Sequence, residues 1–345
     1  MSAIAISSNP VPVKPLRAPV TVGALGGGAC GPGLTAAVVN ARCPQPPHAL
    51  GAIGDGITDD RRAIQAALNA ATPGASVYLP PGTYYLSGPL LIPSNITIRG
   101  AGDRSVLKRA NASRSFALLV NSDYADNSAG NSNITIRDLS LDSNGALQVP
   151  PYNEFLHGIA LIGVTHATIT NCTFTGLSGD GIYVSSSSDG TPHANYSRDI
   201  AVAFNDFQET NHGRNGISLI DADGVEIVGN RFVNLSSPRM PGAIDLEPNI
   251  SSQRVVGVRI VSNSFVSCQQ GVQIHNVVDA LVHDITIARN SIEAGPSGGY
   301  ALYLDNASML TLIGNTIRAP IAKGVYTSGC SQVVLRSNTF LHSWP

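Results

Sequence analysis

The feature that most restricts this chain is a short run that keeps returning: "SNITIRDLSL", "HATITNCTF", "DIAVAFNDF", "GVEIVGNRF", "GVRIVSNSF", "DITIARNSI", "MLTLIGNTI" and "QVVLRSNTF". Each alternates apolar and polar residues for a few positions, the period of a half-buried strand, and most then meet an Asn followed shortly by Phe or Ile. Asn171, Asn205, Asn230, Asn263, Asn290, Asn315 and Asn338 stand 34, 25, 33, 27, 25 and 23 residues apart, with Asp138 at the equivalent place one repeat earlier. Irregular repeats of this length specify a solenoid whose coils carry loops of variable size. Asparagines at strand ends can satisfy backbone groups in every coil and stack as an internal ladder, so they read as structural rather than catalytic.

A second run lies between these: "HGIALIG", "DGIYVSS", "NGISLID", "GAIDLEP", "QGVQIHN", "YALYLDN" and "KGVYTSG". Aligning the apolar positions gives inward pairs Ile159/Leu161, Ile182/Val184, Ile217/Leu219, Ile244/Leu246, Val272/Ile274, Leu302/Leu304 and Val325/Thr327. Two or three short strands per turn, stacked many times, make an all-β fold, a parallel β-helix. Ahead of the stack, Thr58 or Asp59 is placed as a helix N-cap, acids fill the first turn, and Ile64, Ala67, Leu68 and Ala71 recur at helical spacing up to the Pro73-Gly74 stop. This short α-helix is expected to cap the N-terminal end of the stack and block edge-to-edge association. Residues 1–50, rich in Pro, Gly and Ala without periodicity, read as an extended arm, and residues 51–345 as a single β-helix domain.

Composition excludes several classes. Charged residues are 13% of the chain and the net charge is −2, which gives no general attraction to nucleic acid or to an anionic membrane. No run approaches the roughly 18 apolar residues of a membrane span, and "MSAIAISSNPVPVKPLRAPV" has no sustained apolar core of a signal peptide. An extracellular protein whose signal has been removed, or one that leaves its cell without a signal, fits this reading. None of the five cysteines forms a CxxC pair or a His/Cys cluster, so neither a metal nor another cofactor is expected. Cys30 and Cys43 can be bridged if the protein is exported, whereas Cys172, Cys268 and Cys330 read as small buried apolar residues.

The stretch "GAIGDGITDDRRAIQAALNAA" followed by "VYLPPGTYYLSGPLLIPSNITIRGAG" resembles the opening of the pectate-lyase-like superfamily of right-handed parallel β-helix proteins, and the later coils agree with it over roughly residues 50–340. The resemblance implies polysaccharide lyases, polygalacturonase-like hydrolases, uronate epimerases or phage tailspike depolymerases. It fixes the fold better than the reaction. The polygalacturonase-like set of paired aspartates, Gly-His-Gly and Arg-x-Lys does not occur in order. The epimerase-like Asp-Pro-His is missing, "TPH" at 191–193 being a partial echo, and no pectate-lyase-like calcium cage with an arginine base stands out.

Residues between the inward pairs face outward. One outward column reads Ala160, Tyr183, Ser218, Asp245, Gln273, Tyr303, Tyr326, and the next Ile162, Ser185, Ile220, Glu247, His275, Asp305, Ser328. Asp245, Glu247, Gln273, His275, Tyr303 and Asp305 thus form one expected patch on the outer surface, and Tyr183 and Tyr303 can stack on sugar rings. The plain alternative is a solvated sheet face. Glycosidic hydrolysis needs two carboxyl groups, and Asp245 and Glu247 supply them at a backbone separation of roughly 6.6 Å, the lower edge of the inverting range. His275 falls beside Glu247 on the next coil, where its charge would favour that carboxylate and leave Asp245 or Asp305 as the acid. Loops add Asp180, His212, Arg214 and Arg239 as substrate-binding candidates, the alternatives being a turn hydrogen bond for Asp180 and solvent-facing arginines. His157 and His166 have no evident partners, and "DADG" at 221–224 reads as a turn rather than a calcium loop.

The expectation is therefore a glycoside hydrolase acting on a polysaccharide or oligosaccharide, with Asp245, Glu247, His275 and Asp305 catalytic and Gln273 and Tyr303 at the substrate. The alternatives are a polysaccharide lyase and a non-catalytic glycan-binding or tailspike module. Either a monomer or a homotrimer is compatible with the sequence.

Overall fold

The computed structural model describes residues 38–43, 51–125, 130–187, 195–209, 213–235, 241–295, 299–319 and 324–342. His212, Arg239, Cys30 and most of the expected N-terminal arm lie outside them. The chain winds as a right-handed parallel β-helix whose coils stack into two 11-stranded sheets and one 9-stranded sheet. One coil runs through Arg254–Val261 in the first sheet, Ser264–Cys268 in the second and Val272–His275 in the third, before Leu281–Ala288 begins the next. All seven inward pairs fall in register, for example Ile217 with Ile244 and Leu219 with Leu246, and six are wholly sealed from solvent. At the end of the stack, Val325 is half-buried and Thr327 exposed.

The corner between the first and second sheets explains the Asn repeat and corrects its register. A residue with positive φ turns the chain in each coil: Asp138, Asn171, Phe204, Gly229, Ser262, Arg289, Gly314 and Ser337. The next residue points inward, and from Asn205 to Asn338 that residue is asparagine. Asn171 is thus the exposed corner residue, and Cys172 occupies the ladder position, its backbone N–H donating to Asn205 Oδ1 at 2.9 Å. In each inner rung the side-chain amide donates to a carbonyl and to the next Asn, as Asn263 Nδ2 does to Ile227 O at 2.9 Å and Asn290 Oδ1 at 3.1 Å. A left-handed backbone costs an ordinary residue about 1–2 kcal/mol, and these buried hydrogen bonds hold the corner against that cost. Beside the ladder, Phe174, Phe207, Phe232 and Phe265 stack with centroids 4.6–4.8 Å apart, matching the coil spacing.

The single α-helix among the described residues, Arg61–Ala70, closes the N-terminal end. Its N-cap is Asp60 rather than Thr58 or Asp59, and its first turn holds no acid. The Asp60 carboxylate turns away from the helix to accept the Ile53 and Gly54 backbone N–H groups, so it ties the preceding loop down. The cap acts through Gln65, whose amide donates to Leu91 O at 2.9 Å and accepts from Leu91 N at 2.8 Å. Leu90–Ile92 is the edge strand of the third sheet, so Gln65 imitates the missing next strand. Cys43 is disulfide-bonded, while Cys172 and Cys268 are free, buried thiols. No helix among the described residues is long and apolar enough to cross a membrane.

Candidate functional site

The outward face of the third sheet carries the site, centred on the strand Ile244–Leu246. Register places Ser218, Asp245, Gln273, Tyr303 and Tyr326 in one column, as the alternation of the strands requires. Exposure does not follow from that placement. Asp245 has 0% of its surface accessible, because residues leading into the neighbouring strands roof it over. Asn215, two residues before Ile217–Leu219, donates from its amide to Asp245 Oδ2 at 3.1 Å and to Ser218 Oγ at 2.9 Å. The expected solvent-facing acid is instead a sealed one.

Four acids converge on one guanidinium. Arg214 meets Glu154 at 3.3 Å, Glu247 at 3.5 Å and Asp180 at 3.8 Å, and Asp245 adds its field from beneath. Burial works against the Arg214 charge, but Asp180, Glu154, Asp245 and Glu247 together overcome it and raise its pKa. Arg214 is therefore no solvent-facing loop arginine, and it, not His275, is the cation that reaches Glu247. Asp180 is wholly buried, accepts the Asn215 backbone N–H at 3.3 Å and lies 3.4 Å from His157 Nδ1. Burial pushes the Asp180 carboxyl up to about 6 against the pull of Arg214, Ser218 and Asn215. His157 does have a partner: its Nδ1 accepts the Asp180 backbone N–H at 3.2 Å, which puts the ring proton on Nε2. Burial, then Arg214 and Arg109, pulls His157 down to about 3, so the imidazole is neutral.

Asp245 is the most perturbed acid of the cluster. Burial, then the charges of the neighbouring Glu247 and Asp180, hold its carboxyl well above the ordinary carboxylate range against the pull of Arg214. Asp245 Oδ1 is buried without a hydrogen-bond partner, an environment that favours the protonated acid over the carboxylate.

The other expected residues divide into neighbouring groups. His275 lies 4.0 Å from Asp305 rather than against Glu247, and Tyr303 stacks on Tyr326 at 4.7 Å with Tyr300 beside them. Gln273 is nearly buried and accepts from the Gln270 amide at 3.1 Å. On the opposite side, two coils before Asp245, Tyr183 stacks on His157 at 4.4 Å. His166 sits 3.3 Å from Asp199 on another, exposed face. Glu154 and Asn215 were not among the expected site residues. Asn215 stands next to Arg214 in "GRNG", a signal available in the sequence, but nothing in "NEF" marks Glu154. Glu154 and Arg214 line a cleft of about 440 Å³ with Tyr152, Phe155 and Gly213, and within the cluster Glu154 and Glu247 are the acids that reach solvent. Among the described residues no group of three or more His, Cys, Asp or Glu is placed to hold a metal ion.

Comparison with known proteins agrees with this architecture. Residues 48–296 match the family described as Rhamnogalacturonase A/epimerase, pectate lyase-like. Mannuronan C5-epimerase AlgE6 of Azotobacter vinelandii is 39% identical over 122 residues, 32% of this chain and 14% of that protein. The pre-neck appendage protein of Bacillus phage B103 is 28% identical over 250 residues, 65% of this chain and 28% of that protein. The chain therefore spans well under a third of the length of either relative. The solved A-module of the Azotobacter vinelandii epimerase AlgE6 superposes with a TM-score of 0.59 over 85% of this chain and 86% of that one, at 19% identity, a likeness of fold.

Proposed function

Because this chain belongs to the rhamnogalacturonase A/epimerase, pectate-lyase-like family, we propose that it is a glycan-acting β-helix enzyme that hydrolyses a glycosidic bond across the outer face of its third sheet. The observation that carries the reading is the sealed position of Asp245, where burial and the adjacent Glu247 favour its protonated form, next to a Glu247 that reaches solvent. In this reading Asp245 and Glu247 act as one acid. The Asp245 proton passes by way of Glu247 to the leaving oxygen as the glycosidic C–O bond breaks, which leaves both carboxyls ionised until the proton taken up from the attacking water is returned to them. The second carboxylate is then Glu154, across Arg214 from Glu247. It takes a proton from the attacking water, whose oxygen bonds to the anomeric carbon. Arg214 fixes both glutamates. Asp180, His157 and Asn215 position Arg214 and Asp245 from behind.

Local charge favours hydrolysis over uronate chemistry. Removal of a C5 proton, as in a lyase or a C5-epimerase, needs the substrate carboxylate neutralised, yet Arg214 already serves four acids. A neutral glycan meets no such repulsion. The relatives still supply the competing reading, since one is named a mannuronan C5-epimerase and another a phage appendage protein. We place this protein, correspondingly, outside the cell or on a phage virion, as one β-helix domain that works alone or in a homo-oligomer.

The test is a panel of neutral and uronate-containing polysaccharides, read for reducing ends, for ultraviolet absorbance of unsaturated rings and for solvent deuterium at C5. New reducing ends without absorbance, lost on Glu247→Gln and falling by about 10²-fold or more on Asp245→Asn, are expected. Unsaturated products, C5 exchange or undiminished cleavage by both variants would replace this reading.

A further inference from the structure

Two coils before Asp245 the outward face changes character. The register column there reads Leu91, Val120, Ala160 and Tyr183, with Ile162 beside it, so positions that a solvated sheet fills with polar residues are apolar. These side chains pack into an apolar cluster outside the solenoid, separate from its core. Phe116 and Tyr124 stand over it with nearly parallel rings, centroids 6.4 Å apart, and Phe116 meets Tyr183 edge-on at 6.1 Å. Together with Ile162, Tyr183 and Ile250 they line an open cavity of about 420 Å³ on the outer face. Polar groups line it along one side, from Ser185, Ser186 and Gln253.

The cavity is aligned with the acid cluster. Tyr183 lies on its wall and shares a register column with Ser218 and Asp245, about 9.6 Å along the solenoid axis at the spacing of parallel strands. A glycan unit is close to one coil in length, so a chain lying along the axis over Glu247 brings a unit one or two positions away into this cavity. The apolar floor defines what that unit must carry. A plain hexose would turn hydroxyl groups against Ile162, Ile250 and the aromatic rings, which offer them no hydrogen-bond partner. An acetamido group instead sets its methyl on the floor and its amide at the Ser185, Ser186 and Gln253 side, while the C–H face of the ring lies against the aromatic rings.

We infer that this cavity is a subsite for an N-acetylated sugar, and that the glycan substrate of the enzyme carries an acetamido sugar one or two units from the bond it cleaves. The inference rests on the glycan-acting reading above and names its substrate class. The probes are the β-1,4-linked tetramers of N-acetylglucosamine and of glucose, which differ at each unit by the acetamido group alone. Binding is measured by titration calorimetry on the full chain carrying Asp245→Asn.

The acetylated tetramer is expected to bind about tenfold or more tightly than the glucose tetramer, the range one well-packed apolar group supports. Tyr124→Ala and Ile250→Ser, both at partly exposed positions, are expected to remove most of that preference while leaving the thermal midpoint unchanged. Equal binding of the two tetramers, absence of binding by both, or a preference that survives both substitutions would overturn the subsite. Turnover is scored separately on the unsubstituted protein. Absence of the acetamido preference while Tyr124 and Ile250 are intact therefore counts against this inference, and lack of hydrolysis counts against the proposed reaction.

Discussion

Replacing Asp180 with asparagine should make the protein more stable at neutral pH, by an amount that depends on pH in a defined direction. Asp180 is wholly buried, and its carboxyl is raised from 3.8 to about 6 with burial as the main cause. Between those values the unfolded chain has released this proton and the folded chain has kept it, so the folded state binds more protons and stability falls as pH rises. A displacement of about two units corresponds to roughly 3 kcal/mol, present below about pH 4 and lost by the time pH passes about 6. The amide of the Asp180→Asn variant would keep an acceptor for the Asn215 backbone N–H but would have no proton to lose. His157 pulls the other way, since its folded pKa of about 3 makes stability rise with pH up to its unfolded value, so the unsubstituted profile alone does not isolate Asp180. The difference between Asp180→Asn and the unsubstituted protein does. Urea unfolding of both at pH 4, 5, 6, 7 and 8 should give a gap that moves in favour of the variant by roughly 3 kcal/mol across pH 4 to 6 and then levels off. A flat gap, or one that moves toward the unsubstituted protein, would mean that Arg214 more than offsets burial, and the account of the cluster would fail.

Arg214→Met should cost roughly 3 kcal/mol or more in the same urea assay near neutral pH, because it strips the one shared cation from buried acids, and most of the loss should return when Asp180→Asn is added. Asn263→Ala should destabilise by roughly 3 kcal/mol, since Asn230, Ile227 and Asn290 each lose a partner. Asn171→Gly should by contrast stay within about 0.5 kcal/mol, because that exposed corner has a φ of 53° that glycine adopts freely. Equal costs at the two asparagines would refute the corrected register. Phe232→Ala opens a void between Phe207 and Phe265 and should lower stability by about 3–5 kcal/mol, a larger loss than any surface change on the same coil.

How far the sequence could be read follows from where its periodicity stops. Inward pairs such as Ile244/Leu246 were legible because alternation along a strand is enforced by a sealed core, and a slip of one residue would expose it. The Asn ladder was legible as a device but slipped by one residue at Asn171. There Phe174 follows three residues later, whereas Phe207, Phe232 and Phe265 follow their ladder Asn by two, so the Phe stack held the register that the Asn count missed. Asp245, Glu247, Asp180 and Arg214 were all visible as candidates, but not their mutual contacts or their burial. Those depend on Gly213–Asn215 and Glu154, which lie in loops of unequal length where no period constrains the chain. Phe116 and Tyr124 escaped for the same reason.

The energetics of the cluster bear on why it exists. A structural polar centre in a solenoid looks like the Asn ladder, where neutral amides satisfy one another and no charge is buried. Around Arg214 the protein instead buries acids faster than it supplies cations, leaves Asp245 Oδ1 without a hydrogen-bond partner, and raises the Asp180 and Asp245 pKa values through desolvation. Each choice lowers stability at neutral pH, and a hydrophobic or amide replacement would be more stable. The neighbouring coils show that such replacements fit, for the same outward column holds Val120 and Ala160 before the cluster and Gln273 after it. A cost concentrated on a face with an adjoining cleft and aromatic cavity is what the proposed proton transfer requires and what a scaffold would avoid. The gain in stability expected for Asp180→Asn and the loss of turnover expected for Asp245→Asn are therefore two measurements of the same arrangement. If both neutral variants proved more stable and equally active, the buried acids would have no role that the amide could not fill.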